Sequence, residues 1–120
     1  MRTLALEHGA DVVFTEEIVS RALAGCRREV SDDVVTYRSD KGVVLELHAS
    51  QRDRTVLQLG TYDADSARAA AELVQEVCAV DVNLGCGMGF SVKGGMGQAM
   101  VADREKTRAV LAALRAAGRP

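Results

Sequence analysis

Short apolar runs rich in valine and leucine alternate with segments of helical spacing, and this alternation restricts the fold more than any other feature. Three such runs, at 11–15, 54–60 and 78–83, predict buried strands. The first two are followed at once by segments in which apolar residues recur every three or four positions. Strands and helices that alternate over short connections favour an α/β fold with a parallel sheet and right-handed crossovers.

Four helices are predicted, and the last two have clear capping residues. Residues 1–8 predict one helix and residues 16–25 a second. Asp63 or Asp65 would cap the third by accepting hydrogen bonds from its free amides, and Asp103 would cap the last. The apolar faces of these two capped helices are predicted to be buried. Those faces consist of Ala67, Ala70, Ala71, Val74 and Val77 in the third helix and Thr107, Val110, Leu111 and Leu114 in the last.

One segment interrupts the alternation of strands and helices. Two β-rich runs, at 34–38 and 43–48, flank a turn that contains Asp40, Lys41 and Gly42. Runs of this kind on either side of such a turn predict a β-hairpin, inserted between the second helix and the second buried strand.

Composition narrows the class of protein. The chain has 120 residues, enough for one small domain, and its content of 48% hydrophobic and 27% charged residues is typical of globular proteins. A formal net charge of -2 gives no overall basic field for nucleic acid, and no run of about eighteen apolar residues predicts a membrane span. Three cysteines without a C-x-x-C pair favour a reducing cytoplasm and predict neither a disulfide framework nor a metal site. Of these, Cys26 and Cys78 are predicted to be structural.

Polar side chains stand where the three predicted strands end. They are Thr15, Glu16 and Glu17 after the first strand, Gln58 in the second, and Asn83 and Cys86 after the third. In parallel α/β folds the ligand binds beyond the carboxyl ends of the strands, so these residues predict a site. Amide side chains both donate and accept hydrogen bonds, which suits the edge of a flat heterocycle, and a thiol there serves as nucleophile or proton donor.

Each of these residues also has a structural explanation. Cys86 is either an inert packed cysteine or the reacting thiol. Gln58 either satisfies buried backbone groups or binds a ligand, and Glu16 and Glu17 either cap the following helix or face the site. Strand-end position alone leaves both explanations open.

The segment DVNLGCGMGFSVKGGMGQAM, residues 81–100, holds six of the eleven glycines, together with Lys93. Its spacing matches neither the P-loop pattern nor a dinucleotide-binding pattern before a helix, so a nucleotide-phosphate motif is not supported. The glycines either form a loose loop or let the backbone approach a ligand closely and close over it.

Two motifs in this segment resemble the active-site signature of tRNA-dihydrouridine synthases. DVNLGC, at 81–86, is similar to the family's Asn-x-Gly-Cys-Pro, and SVKGGMGQAM, at 91–100, is similar to its Lys-Gly-Gly loop. LALEHGADVVFTEEIVSRAL, VVLELH and VLQLGTYD occur in the same order as in that family, so the resemblance covers nearly the whole chain. The Lys-Gly-Gly-Met-Gly form is most similar to the eukaryotic branch that acts on the D-loop.

The resemblance implies a flavoprotein with an FMN-binding TIM (β/α)₈ barrel and a helical tRNA-binding domain, which reduces the uracil C5–C6 double bond in tRNA. Reduced FMN would deliver hydride to C6, the Cys86 thiol would protonate C5 as general acid, and NADPH would reduce the flavin again. By the same resemblance, Gln58 would bind the flavin ring edge, Asn83 the flavin or the uracil, and Lys93 the tRNA.

Two features depart from the family pattern. The proline that follows the family's cysteine is Gly87 here, so Cys86 is expected to be less preorganised and the activity lower. A complete barrel needs about 250 residues. Residues 1–120 are therefore expected to be a fragment of the catalytic domain, a partial barrel of three parallel β/α units plus the hairpin, without the tRNA-binding domain.

Two other functions fit parts of the sequence. One is an FMN-barrel oxidoreductase acting on a small molecule, although the Lys-Gly-Gly loop argues against it. The other is a non-enzymatic barrel fragment. A half barrel exposes strand edges and an apolar sheet face, so the chain on its own is expected to be inactive and to self-associate.

Overall fold

The computed structural model describes residues 1–118 as an α/β unit with a small antiparallel sheet at one side. Its elements in chain order are α1 (Arg2–Glu7), β1 (Val13–Phe14), β2 (Ile18–Val19), α2 (Ser20–Ala24), β3 (Arg27–Ser31), β4 (Val34–Ser39), β5 (Gly42–His48), a 3₁₀ helix (Ala49–Arg54), β6 (Thr55–Gly60), α3 (Ala64–Leu73), β7 (Ala79–Val82), α4 (Gly89–Lys93), α5 (Gln98–Ala102) and α6 (Arg104–Ala116). The longest helix, α6, has 13 residues, and no helix among the described residues is long and apolar enough to cross a bilayer.

A parallel sheet is built around β6. Both β1 and β2 pair with one edge of β6, and β7 pairs with the other edge, all of them parallel to it. The β/α alternation in the sequence therefore correctly predicted a mixed α/β fold with parallel strands. Because the strands run in one direction, their carboxyl ends meet at a single edge of the sheet.

Helices α2, α3 and α6 cover one face of this sheet. Leu57 and Leu59 of β6 lie in the same buried cluster as Ala67, Ala70 and Val110 of the helices. Small alanine side chains let α3 approach the sheet and α6 closely. Side chains alternate along a strand, so Gln58, between the two leucines, lies on the opposite face.

The predicted aspartate caps are confirmed at Asp63 and Asp103. The side chain of Asp63 accepts a hydrogen bond from the Ser66 backbone N–H at 2.8 Å, and Asp103 accepts one from Lys106 at 3.0 Å. Partial burial works to raise the pKa of Asp63, but the hydrogen bonds from Ser66 and Arg21 outweigh it and leave that pKa below its ordinary value. Both long helices therefore begin where their sequence signals predicted.

The predicted β-hairpin is confirmed as β4 and β5, but the sequence did not reveal its third strand. β3 pairs antiparallel with β4 from Arg27, opposite Arg38, to Ser31, opposite Val34. All five β3 residues are exposed, so the strand carries no alternation of apolar and polar residues from which it could be predicted. The strand therefore forms through its pairing with β4.

Glu76, between α3 and β7, joins the antiparallel sheet to the rest of the molecule. Its side chain is only 3% exposed and accepts hydrogen bonds from Arg28 at 2.5 Å, from Arg52 at 3.4 Å and from the Tyr37 hydroxyl. Burial works to raise the pKa of Glu76, but the bonds from Arg28 and Tyr37 outweigh it and hold that pKa below its ordinary value. Burial, followed by the bond to Glu76, raises the pKa of Tyr37.

The second helix begins later than the sequence predicted. Helical spacing predicted a start at Glu16, but Ile18 and Val19 form β2 opposite Leu59 and Gly60, and α2 begins at Ser20. The β-branched pair completes a parallel ladder on β6, and this tertiary pairing overrides the local helical pattern. β1 and β2 therefore follow the same edge of β6, one after the other.

The other outer edge of the parallel sheet is less buried than predicted. The four residues of β7 are half-buried, because no strand among residues 1–118 pairs with its outer edge. Of the apolar face predicted for α6, Val110 and Leu114 are buried, whereas Leu111 is 49% exposed. Leu111 lines an open groove of about 490 Å³ together with Leu84 and Val101.

Candidate active site

Hydrogen bonds at Thr15, just after β1, join the end of that strand to β6. Its backbone N–H donates to the Val56 carbonyl at 3.0 Å, and its hydroxyl oxygen accepts from the Gln58 backbone N–H at 3.0 Å. The same hydroxyl donates to the Glu16 carbonyl at 2.8 Å. A buried threonine thus aligns the end of β1 with β6 and accepts a hydrogen bond from the backbone N–H of Gln58.

Gln58 is paired with Asp81, its neighbour across the β6–β7 ladder. The Gln58 amide nitrogen donates to Asp81 Oδ2 at 2.8 Å. An ionised carboxylate only accepts hydrogen bonds, so this partner fixes which end of the amide is nitrogen. Among the described residues, the Gln58 side chain bonds to this carboxylate and to no backbone group, so the explanation that it satisfies buried backbone groups is wrong. Its Oε1 accepts no hydrogen bond from the described residues.

Asn83 follows β7 and shapes the turn that contains Cys86. Its Oδ1 accepts hydrogen bonds from the backbone N–H groups of Gly85, at 3.1 Å, and Cys86, at 3.0 Å. This is an Asx-type turn, in which a short amide side chain replaces a backbone acceptor. Cys86 is a free, half-buried thiol at the carboxyl edge of the sheet, and Asn83 sets the position of its backbone nitrogen.

The glycine-rich segment has secondary structure and a fixed attachment to the sheet, which a loose loop would lack. It contains the short helices α4 and α5, and its base is closed by the Gln98 backbone N–H, which donates to the Cys86 carbonyl at 3.0 Å. The fully buried Ser91 of α4 donates to Glu17 Oε1 at 3.4 Å, which attaches the segment to the connection between β1 and β2. Gly60 makes room there, because an added Cβ would lie 2.5 Å from Glu17 Oε1.

Neither predicted glutamate caps α2. Glu16 pairs with Arg2 of α1 at 3.1 Å, and Glu17 accepts the hydrogen bond from Ser91. The capping explanation fails because β2 intervenes between these glutamates and the helix at Ser20.

Lys93 lies apart from the other predicted site residues. It is the exposed last residue of α4, and among residues 1–118 it has no hydrogen bond or ion pair with Gln58, Asn83 or Cys86. The structure therefore brings Asn83 and Cys86 into direct contact, places Gln58 on the neighbouring strand, and leaves Lys93 at the surface of the glycine-rich segment.

The other two cysteines are buried or half-buried structural thiols. Cys26 donates to the Ala22 carbonyl at 3.2 Å, Cys78 donates to the Thr55 carbonyl at 3.2 Å, and burial raises the pKa of Cys26. Within the described chain, no three His, Cys, Asp or Glu side chains are grouped so that they could hold a metal ion.

Three residues that shape the site were not predicted from the sequence. Asp81 is the acidic residue of a predicted strand, and its neighbour on β6 depends on a register that the sequence does not specify. Ser91 and Gln98 lie in the glycine-rich segment, whose path was not predicted. One feature of the sequence could have identified Asp81: it lies two residues before Asn83, so both side chains are on the same face of the strand.

A parallel sheet with Gln58 on one strand, and with Asn83 and a free thiol just beyond the next strand, is typical of α/β proteins whose ligands bind beyond the strand ends. The sequence model of the family described as Dihydrouridine synthase (Dus) matches residues 1–119. The chain belongs to the dihydrouridine synthase family.

Curated relatives agree with this assignment. A tRNA-dihydrouridine(20) synthase (NAD(P)+) of Schizosaccharomyces pombe is 37% identical over 123 residues, which cover 95% of this chain and 26% of the relative. The enzyme of the same name from Saccharomyces cerevisiae is 30% identical over 111 residues, covering 83% of this chain and 29% of the relative. A tRNA-dihydrouridine(16/17) synthase of Saccharomyces cerevisiae is 32% identical over 85% of this chain and 22% of its own length. The chain spans less than a third of the length of each relative.

Proposed function

We propose that this chain is part of the catalytic barrel of a flavin-dependent tRNA-dihydrouridine synthase, with Cys86 as the group that protonates uracil. The observation that supports this most strongly is the turn at the end of β7, where Asn83 holds the backbone of a free thiol at the ligand-binding edge of a parallel sheet. In the proposed whole protein, the β/α elements of this chain make up about three of the eight units of a (β/α)₈ barrel.

The side chains present fit the edge of a flavin ring. Because Asp81 holds the Gln58 amide nitrogen, Gln58 presents Oε1, an acceptor for the N–H that lies between two carbonyl groups on the ring. Asn83 uses its Oδ1 in the turn, which leaves its Nδ2 as a donor to a carbonyl of the flavin or the uracil. FMN, when bound, supplies the hydride for C6 of uracil and is reduced again by NADPH.

Cys86 supplies the proton. Its Sγ–H donates to uracil C5, where negative charge develops as C6 accepts the hydride, and the thiolate left behind regains a proton from solvent. A half-buried thiol meets both needs, since it faces a ligand yet remains open to water. Lys93, exposed on α4 and apart from the thiol, is suited to contact a phosphate of the tRNA backbone.

The proposal carries consequences for partners and location. The substrate is tRNA, bound through the full-length protein and its separate helical domain, and the free thiol fits a reducing cytoplasm. This chain alone is expected to be inactive and to associate with copies of itself through the open groove and the outer edge of β7, which has no partner strand among residues 1–118.

A chimera tests the function directly. Residues 1–118 would replace the matched segment of the Schizosaccharomyces pombe relative, with the unaltered relative measured in parallel. We expect the chimera to retain flavin, visible by its absorption, and to form dihydrouridine in unmodified tRNA when supplied with NADPH. A chimera that retains flavin but forms no dihydrouridine would contradict the proposal. Flavin-dependent reduction of a small acceptor without reduction of tRNA would favour a small-molecule oxidoreductase instead.

A further inference from the structure

Cys86 is held at both polar groups of its own backbone. Its N–H donates to Asn83 Oδ1 at 3.0 Å, and its carbonyl accepts from the Gln98 N–H at 3.0 Å. The first bond comes from the strand end, and the second comes from the far end of the glycine-rich segment. Two such bonds restrict the backbone of Cys86 and therefore the direction in which its thiol leaves the chain.

Gly97 allows this second bond to form. It is buried, has φ of 57°, and an added Cβ would lie 2.3 Å from the Cys86 carbonyl oxygen and 3.1 Å from the Cys86 Cβ. Real Cβ atoms essentially never approach backbone so closely, so only glycine lets Gln98 reach Cys86.

Another glycine of the same segment lacks this contact. Gly95 also has a positive φ, of 73°, but an added Cβ there would meet Tyr62 Cβ at 3.5 Å, an ordinary van der Waals distance. The close approach to Cys86 is therefore particular to Gly97 and does not follow from left-handed backbone alone.

We propose that Gly97 and Gln98 are positioning residues for Cys86. Gly97 allows the glycine-rich segment to approach the cysteine, and the Gln98 N–H holds the Cys86 carbonyl in place. A proline directly after Cys86 would also restrict the cysteine backbone, so this hydrogen bond provides part of the same restriction. The inference rests on the proposed function only in that it takes Cys86 as the reacting group.

Two substitutions of Gln98 separate its backbone N–H from its side chain. Gln98→Pro removes the N–H at the first position of α5, where proline is well accepted, and Gln98→Ala keeps it. The measurement is the iodoacetamide alkylation rate of each cysteine in the 120-residue chain, read by peptide mass spectrometry, with Cys78 as the internal reference. We expect the ratio of the Cys86 rate to the Cys78 rate to rise about fivefold in Gln98→Pro and to stay within about twofold of the original in Gln98→Ala.

Gly97→Ala and Gly95→Ala form a second matched pair, since both place a side chain at a positive φ. The ratio is expected to rise in Gly97→Ala and to stay unchanged in Gly95→Ala. Unchanged ratios in both Gln98→Pro and Gly97→Ala would overturn the proposal. So would a parallel rise at Cys26, Cys78 and Cys86, because it would mean that the two residues support the whole fold. No flavin or tRNA enters the assay, so its failure leaves the proposed function standing.

Discussion

The chemistry proposed for Cys86 depends on neighbours that orient it and its ligands without reacting themselves. Asn83 and Gln98 hold the cysteine backbone, and Asp81 holds the amide of Gln58. Preorganised groups of this kind lower the cost of reaching the reactive geometry, because the positions are fixed before the substrate binds. The weakest point of the arrangement is Gly87, which follows the thiol and is exposed.

Gly87→Pro is expected to raise the rate of dihydrouridine formation by the chimera. Proline restricts its own φ and the conformation of Cys86, which should increase the fraction of molecules with a well-placed thiol by about two- to fivefold. An added Cβ would come within 3.2 Å of Gln98 Oε1, the end of an exposed side chain that is free to move. Gly87→Ala adds the same Cβ without the ring and is the control. Equal rates in Gly87→Pro and the unaltered chimera would contradict the explanation.

A buried carboxylate, that of Glu76, adds a polar link between the antiparallel sheet and the chain that leads into β7. Glu76 connects β3, β4 and the 3₁₀ helix through Arg28, Tyr37 and Arg52, just before β7 begins. A buried charge that loses its partners is costly, so this junction should contribute more to stability than any exposed ion pair of the molecule. The exposed Arg68–Glu72 pair on α3, at 2.7 Å, offers a comparison, since Glu72 lies four residues before Glu76 in the sequence.

Glu76→Gln is expected to lower the free energy of unfolding at neutral pH by about 3 kcal/mol, measured by urea denaturation. Glu72→Gln, the matched control, should change it by less than about 1 kcal/mol. The folded-state pKa of Glu76 lies below its ordinary value of 4.5, so the charge stabilises the fold above that pH and its contribution is lost as the pH falls below it. The Glu76→Gln variant should therefore lose less stability than the original chain on acidification. Equal losses would contradict this role.

Which elements the sequence predicted follows from how local their signals are. β6, α6 and the start of α3 were predicted closely, because their apolar periodicity or aspartate caps are local signals. The end of α3 was not, since the helix stops at Leu73, and Val74 and Val77, predicted on its apolar face, are buried beyond it. β3 and β2 were missed, since each exists through pairing with a distant strand. In the site, the strand-end positions of Gln58 and Asn83 were predictable, whereas their partners depend on strand register and on the path of the glycine-rich segment.

In the molecule as a whole, the parallel sheet and its helices leave an apolar surface exposed to solvent. The outer edge of β7 is unpaired among the described residues, and the groove beside it is lined by Leu84, Val101 and Leu111, with Arg104 and Arg108 also at its surface. Surfaces of this kind favour association when nothing covers them.

Leu111→Glu is expected to prevent self-association of the isolated chain. Sedimentation velocity should find the original chain heavier than its 12.8 kDa monomer and the variant at the monomer mass, because a charge in the groove disfavours burial. Val43→Glu is the matched control, since Val43 on β5 is 50% exposed and Leu111 is 49% exposed. A monomeric original chain, or association that survives Leu111→Glu, would contradict the expectation.

A single-turnover measurement tests whether Cys86 protonates uracil. The chimera would be reduced, mixed with unmodified tRNA, and followed for dihydrouridine formation, with Cys86→Ala compared with Cys78→Ala. We expect Cys86→Ala to lower the rate by about 10²- to 10⁴-fold, as for loss of a general acid, and Cys78→Ala to leave it within about twofold. A Cys86→Ala chimera that binds flavin and forms dihydrouridine at the original rate would contradict this role.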